Sequence, residues 1–357
     1  MIAAKVTEEA ILAQPFLLPL RPNIGLEQYY SEAGPDYAAW SREFNMHFGY
    51  YRAGTNPLDR EAMLEQMNAE VLARLGVHTI DAPHLLDLGC GLGATLRSFA
   101  QRLPSAKLVG LTRVPWQVEH ARALNEAAGC GKQVCVVEGD YEDSILPSSA
   151  FDGVYALESS CHAQGADKGI LLQEAYRLLK PGGRFVVADG FLRNDRFVSP
   201  LQRRIYRKLC DCWVIEELAQ LDLFTSRLEE LGFREILVEH LQMRVAASVM
   251  HIPWVTLKFL MTDVVFGKRP MTPARWNNVL APLLLPLVSA PLGPMTYCMI
   301  TATKAYCCNP LSRRQSLPGE RGNTSRRQNR STLSQMPRRD TLLPSDNLAF
   351  RSSFSHR

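Results

Sequence analysis

With 357 residues, 46% of them hydrophobic, the chain is long enough to bury one large core or two small ones. Its net charge of +4 is uneven: residues 309–357 hold ten Arg against Glu320, Asp340 and Asp346, a net +7, which leaves −3 on the body. A body of that sign offers no basic footprint for nucleic acid. Nine cysteines without CxxC or any other metal-type spacing argue against a zinc or dithiol site and suit reduced thiols in an intracellular protein.

At the N-terminus, Glu8 and Glu9 precede a short apolar run interrupted by Pro15 and Pro19, which is not the pattern of a signal peptide. Residues 24–57 are rich in aromatic side chains, and residues 1–57 are expected to form an N-terminal segment and lid. Leu58 to Leu75 reads as a helix, with Met63, Met67, Val71 and Leu75 recurring every four residues. Short apolar runs then alternate with helical patterns. "HLLDLG" is strand-like and "GATLRSFAQRL" helical; "KLVGLT" is a second strand and "WQVEHARALNEAAG" a second helix. "QVCVVEGD" and "FDGVYALES" are strands, "DKGILLQEAYRLLKPGG" is a helix with a Pro-Gly-Gly stop, and "RFVVADGF" is a fifth strand. This alternation predicts an α/β fold, a doubly wound and mostly parallel sheet covered on both faces, with its ligand at the carboxyl ends of the strands.

Beyond Phe191 the alternation is interrupted by apolar insertions at about 192–220 and 243–293, expected to form helices over the strand ends as a substrate cap. The first, "PLQRRIYRKLCDCWVIEELAQL", is basic and amphipathic. Between them "TSRLEELGFREILVEHL" restores a helix and a strand, and "MTYCMITATK" reads as a closing edge strand. Trp276 to Thr303 carries no charge and is long enough to span a bilayer, but Pro282, Pro286, Pro291 and Pro294 break it, which predicts a buried or interfacial segment instead. Residues 58–305 form the expected main domain. Residues 306–357 are expected to be a disordered basic tail, whose "RRQS" is a pattern that Arg/Ser-rich tails produce by chance.

The most informative stretch is "LLDLGCGLGATL", residues 85–96, where Gly89, Gly91 and Gly93 strip side chains from the turn after the first strand. A dinucleotide loop has the spacing G-x-G-x-x-G, whereas here it is G-x-G-x-G, and Asp87 would repel a pyrophosphate. The same carboxylate suits a sulfonium, which favours S-adenosylmethionine over NAD.

These residues resemble the first motif of class I S-adenosylmethionine-dependent methyltransferases. "VEGDYEDSILPSSAFDGVYALESSCHA" and "AYRLLKPGGRFVVADGF" follow in that family's order. "HFGYY" and "ALESSCHA" are most similar to the subgroup that contains sterol C-methyltransferases and tocopherol methyltransferases. The resemblance implies a seven-stranded Rossmann-like sheet and a bound S-adenosyl-L-methionine. Asp87, Gly89, Cys90, Gly91 and Gly93 would lie at its methionine end, Thr112 and Gln117 at the ribose, Asp140 and Tyr141 at the adenine, and Glu158 near the departing methyl. Thr112 stands where the wider family has a carboxylate.

For proton transfer the candidates are His162 with Glu158, four residues apart and adjacent if that turn is helical, and His47, which rests on the subgroup resemblance alone. Tyr30, Trp40, Phe48, Tyr50, Trp213 and Trp254 are the expected walls of an apolar substrate pocket; no metal site is expected. The expected activity is methylation of a lipophilic small molecule such as a sterol, terpenoid or prenylated ring, at carbon rather than oxygen or nitrogen. The expected location is the cytoplasm with peripheral membrane contact. A nicotinamide oxidoreductase and a non-catalytic, membrane-associated relative of the fold are the alternatives.

Overall fold

The computed structural model describes residues 24–193, 197, 199–267, 269–289 and 293–306; the expected signal-free N-terminus and basic tail lie outside them. Seven strands form one sheet in the order β3-β2-β1-β4-β5-β7-β6. They are β1 (His84–Leu88), β2 (Lys107–Thr112), β3 (Val134–Glu138), β4 (Phe151–Leu157), β5 (Leu179–Leu192), β6 (Phe233–His240) and β7 (Met295–Lys304). The first five run parallel. β7 enters antiparallel between β5 and β6, pairing Leu192 with Met295 at one end and Arg184 with Thr303 at the other. The final strand is therefore interior, contrary to the edge position expected from sequence. Its nearly uninterrupted burial explains why "MTYCMITATK" lacks the alternation of a half-exposed strand.

Helices cover both faces. α2 (Arg60–Leu75), α3 (Ala94–Arg102) and α4 (Pro115–Ala127) pack Met67, Val71, Phe99 and Ala121 on one side; α5 (Gly169–Leu178) and α7 (Leu221–Leu231) pack Leu171, Ala175, Phe224 and Leu228 on the other. Each of the larger of these side chains stabilises the fold by about 1.5–3 kcal/mol through burial, and each alanine by less. α2 starts where Asp59 accepts from Ala62 N at 3.0 Å and stops at left-handed Gly76. Along β1, Leu85 packs on the α2–α4 side while Leu86 and Leu88 pack on the other. Period-2 alternation thus sends Asp87 to the same face as Leu85, at the carboxyl end of the central strand.

The remaining elements form a cap: α1 (Leu26–Ala33) with a 3₁₀ turn Gly34–Ala39, α6 (Pro200–Trp213), α8 (Gln242–Val249), α9 (Ile252–Phe259) running into a π turn Leu260–Val265, and α10 (Pro273–Ser289). α6 and α10 close an apolar cluster of Leu209, Ile215, Leu285 and Val288 against Leu192 and Met295. A buried clasp ties the first helical segment to the second insertion. The Arg275 guanidinium meets both oxygens of Asp36 at 2.7 and 2.9 Å and Asp263 at 2.9 Å. Asp36 also accepts from Arg269 at 2.8 Å. The uncharged run from Trp276 divides into α10, with Pro282 and Pro286 inside the helix, and β7.

Candidate active site

A cleft enclosing about 830 Å³ of non-atom space, its open mouth included, lies over the carboxyl ends of β1, β2 and β4. Its floor is the turn from β1 into α3. Gly89 has φ +104°, and a Cβ there would strike the Ser159 side chain. Gly91 has φ +51°, and a Cβ would come 3.0 Å from Met46 Sδ, filling the narrow gap between turn and lid. Both positions therefore require glycine, the first for the neighbouring strand and the second for the cleft. Gly93 caps α3 behind the cleft and does not line it.

Asp87 and Glu158 define the electrostatics. Asp87 is 3% exposed, and burial pushes its carboxyl up to about 7. Glu158, just past β4, is pushed up to about 8 by burial, partly offset by hydrogen bonds from Phe48 N and the Tyr297 hydroxyl, each 2.7 Å from Oε1. Its backbone is left-handed, φ +49°, unusual for a side-chain-bearing residue and a strain of about 1–3 kcal/mol held by the surrounding fold. Among the described residues neither carboxyl belongs to an ion pair. Two desolvated acids facing one cleft without a cation are an arrangement that a positively charged ligand stabilises and a pyrophosphate does not.

Around this pair the other expected cofactor residues divide. Cys90, Thr112, Gln117 and Tyr141 line the cleft. Thr112 Oγ1 donates to Gln117 Oε1 at 2.5 Å, and the Tyr141 hydroxyl donates to the Ser159 carbonyl at 2.9 Å, which fixes the ring along the cleft wall. Asp140 does not line it; its carboxylate accepts from Glu142 N and sits 3.5 Å from Arg113, a partly exposed pair at the rim.

The proton-transfer candidates also separate. His162 is on a 3₁₀ turn, Ser160–His162, not on an α-helix, so it does not hydrogen-bond Glu158, although both face the cleft. Its Nε2 lies 3.0 Å from the Tyr30 hydroxyl, and burial lowers its pKa to about 4, leaving a neutral imidazole at physiological pH. His47 lines the cleft with both nitrogens engaged: Nδ1 with the Phe48 carbonyl at 2.9 Å, Nε2 with Asn45 and Asn68 at 3.1 Å. That ring is a brace for the lid.

Of the expected substrate walls, only Tyr30 reaches the cleft. Trp40 and Phe48 stack edge-on at 6.0 Å behind it, with Trp40 Nε1 donating to the His47 carbonyl. Tyr50 is buried with Arg244 5.5 Å from its ring. Trp213, the last residue of α6, packs toward Tyr29 and Ala33 of α1, and Trp254 is 66% exposed on the outer surface.

Several residues that the sequence reading passed over hold the site. Arg97 donates to the Leu92 and Glu43 carbonyls, both at 2.6 Å, joining the glycine turn to the lid. Asp189 accepts from Ser160 Oγ at 2.7 Å and Cys161 N at 3.0 Å; Lys168 Nζ donates to the Ala163 and Glu217 carbonyls at 2.6 and 2.8 Å. Together they hold the Glu158–His162 turn from beneath. A carboxylate inside "RFVVAD" and an arginine one turn after Gly93, on the buried face of α3, were the available signals.

Residues 85–183 match the family described as a methyltransferase domain. The sheet around this match has the class I methyltransferase fold. The chain is 30% identical over 231 residues, 64% of its length, to a sterol 24-C-methyltransferase of Yarrowia lipolytica, and spans 58% of that relative's length. Among solved structures, the cyclopropane synthase MmaA2 of Mycobacterium tuberculosis aligns with TM-score 0.66 at 16% identity, covering 80% of this chain and 99% of its own. The [4+2]-cyclase SpnF aligns with TM-score 0.62 at 20% identity, covering 78% and 96%. These structural likenesses establish the seven-stranded methyltransferase fold.

Proposed function

We propose that the protein transfers a methyl group from S-adenosylmethionine to a carbon atom of a lipophilic small molecule such as a sterol, terpenoid or prenylated ring. The observation that carries this reading is a pair of carboxyls outside any ion pair among the described residues, Asp87 buried and Glu158 half-buried, lining one cleft whose floor has no side chain at Gly91. The cofactor supplies an electrophilic methyl on a positively charged sulfur. Asp87 would hold that charge, Thr112 and Gln117 the ribose hydroxyls, and Tyr141 the side of the adenine. The sterol methyltransferase likeness supports an apolar acceptor, and the aromatic and apolar lid contributed by Tyr30, Met46 and Leu26 supports exclusion of water.

Positioning in a dry cleft contributes roughly 7–11 kcal/mol to such a displacement, so the chain needs few reacting groups. Glu158, in its ionised form, stabilises positive charge that develops on the acceptor. When the acceptor is an alkene a proton must afterwards leave the new cation, and the neutral His162, 3.0 Å from the Tyr30 hydroxyl and lining the same cleft, would receive it. His47, with both nitrogens engaged, takes no part in this step. The domain works in the cytoplasm in this reading.

Two measurements test it. Calorimetry should detect S-adenosylmethionine binding and no NAD binding; the reverse result returns the oxidoreductase reading. Incubation with methyl-labelled cofactor and a total lipid extract should label an organic-soluble product, and label confined to water-soluble or protein fractions removes the lipophilic acceptor.

A further inference from the structure

The run Gln242–Val265 is 24 residues of helix, apolar enough by length and composition to cross a membrane, yet it lies flat on the domain. Val245, Ser248, Ile252 and Phe259 face inward. Ser248 Oγ accepts from Gly49 N at 2.8 Å, the Arg244 carbonyl accepts from Tyr51 N at 2.7 Å, and His251 Nε2 lies 2.8 Å from the Pro57 carbonyl. These bonds bind the run along its inner side. Its outer side is the unusual one. Met250, Trp254, Leu257, Met261 and Val265 recur at spacings of three and four, and Phe266 follows; Met250 is 76%, Trp254 66% and Phe266 78% exposed. α10, packed beside α9, presents a second outward stripe of Trp276, Leu280, Leu283 and Leu287. Monomeric proteins rarely expose contiguous apolar surface on this scale unless something covers it.

Charge indicates what covers it. Between residues 250 and 289 the only acidic side chain is Asp263, and Arg275 engages it. Lys258 stands exposed within the stripe, and α6, packed against α10, adds exposed Arg203, Arg204 and Arg207 with no acidic neighbour before Asp211. An apolar stripe carrying two tryptophans, with Lys258 within it and the Arg203–Arg207 cluster on one flank, has the make-up of an interfacial helix lying in an anionic bilayer; the exposed acid of α1, Glu27, belongs to the opposite flank of α10. We propose that α9, its π turn and the outer side of α10 form a docking face for an anionic lipid surface. This deepens the lipophilic-acceptor reading and rests on it, since an acceptor dissolved in lipid must be collected where it resides.

The test is flotation of the full chain with phosphatidylcholine vesicles containing a quarter phosphatidylserine, with no cofactor or acceptor present. The protein should float with these vesicles and less with pure phosphatidylcholine, and brominated lipid should quench the Trp254 and Trp276 emission. Met261→Glu with Phe266→Glu, both at exposed positions and both leaving the Arg-rich tail in place, should raise the lipid concentration for half binding about tenfold or more. Unchanged flotation of this double variant, with its fold confirmed by circular dichroism, overturns the proposal, because binding then belongs to another part of the chain. A concentration-dependent dimer that the same substitutions abolish also overturns it, showing a second copy as the occupant. Vesicle binding without methyl transfer faults the functional reading, while methyl transfer without vesicle binding faults only the docking face.

Discussion

The cleft and the cap depart from ordinary burial in opposite directions. At the ends of β1 and β4, Asp87 and Glu158 are carboxyls raised by burial and outside any ion pair among the described residues; along α9 and just past its π turn, Trp254 and Phe266 are apolar groups exposed to water among those same residues. A side chain in the wrong solvent raises the free energy of the unliganded protein. In both regions the chain keeps that disadvantage where a ligand of opposite character would remove it: a cation in the cleft, a hydrocarbon phase on the cap. The two regions differ in rigidity of specification. The cleft depends on single positions fixed by backbone geometry, whereas the cap depends on a stripe in which any large apolar residue would serve.

The comparison is broken most severely at Gly89. Gly89→Val puts a branched side chain at φ +104° and against Ser159, so cofactor binding should fall beyond detection in calorimetry while the melting temperature drops by the equivalent of about 1–3 kcal/mol of backbone strain. Retained tight binding would mean that the turn does not form the cofactor floor.

Asp87→Asn comes next. It should weaken S-adenosylmethionine by roughly tenfold to a hundredfold, equivalent to about 1.4–2.8 kcal/mol, and weaken the neutral product S-adenosylhomocysteine much less. The sign of the pH effect follows from a raised carboxyl. Between about 4 and about 7 the folded protein retains a proton that the unfolded chain has released, so this group lowers stability progressively as pH rises through that window. Cation binding favours the ionised form, so affinity should tighten up to about pH 7 and then level, with proton release near pH 6 measurable in buffers of different ionisation enthalpy. The Asn variant should lose that release.

Glu158→Gln keeps an acceptor for Phe48 N and Tyr297 but no charge. Cofactor affinity should change less than threefold, whereas kcat should fall about tenfold to a hundredfold and lose the limb of the pH–rate profile that rises toward about 8. The smallest effect on the fold belongs to the cap: Met261→Glu should leave stability within about 0.5 kcal/mol by chemical denaturation, since the side chain is already in water. A large loss there would show that the stripe is packed, and the contrast between the two regions would disappear.

Much of the fold was legible because it is local. A glycine turn after an apolar strand, helices of period 3.6 and the Pro-Gly-Gly stop each lie within a dozen residues, so the first five strands and the helices between them follow from the alternation. What escaped the sequence reading depends on distant partners. β7 lies between two strands that precede it in the chain, and nothing in "MTYCMITATK" announces which neighbours it will have. Glu158 was singled out beside His162 on a helical assumption, but its partner is Tyr297, 139 residues away. His47 looked reactive until Asn45 and Asn68 occupied its nitrogen. For the aromatic residues, periodicity identifies a stripe but not the side on which water lies, and Trp254 was accordingly placed in a pocket when it faces outward.

The Asp36–Arg275 clasp sets how the two regions respond to ionic strength. Mobile ions weaken the attraction between a cationic rim and charged headgroups within a Debye length, but they reach a guanidinium 1% exposed to solvent hardly at all. Washing with concentrated salt should therefore lift the protein from a lipid surface while the segment bearing Tyr30 stays seated over the cleft, and material recovered in this way should bind its cofactor without refolding.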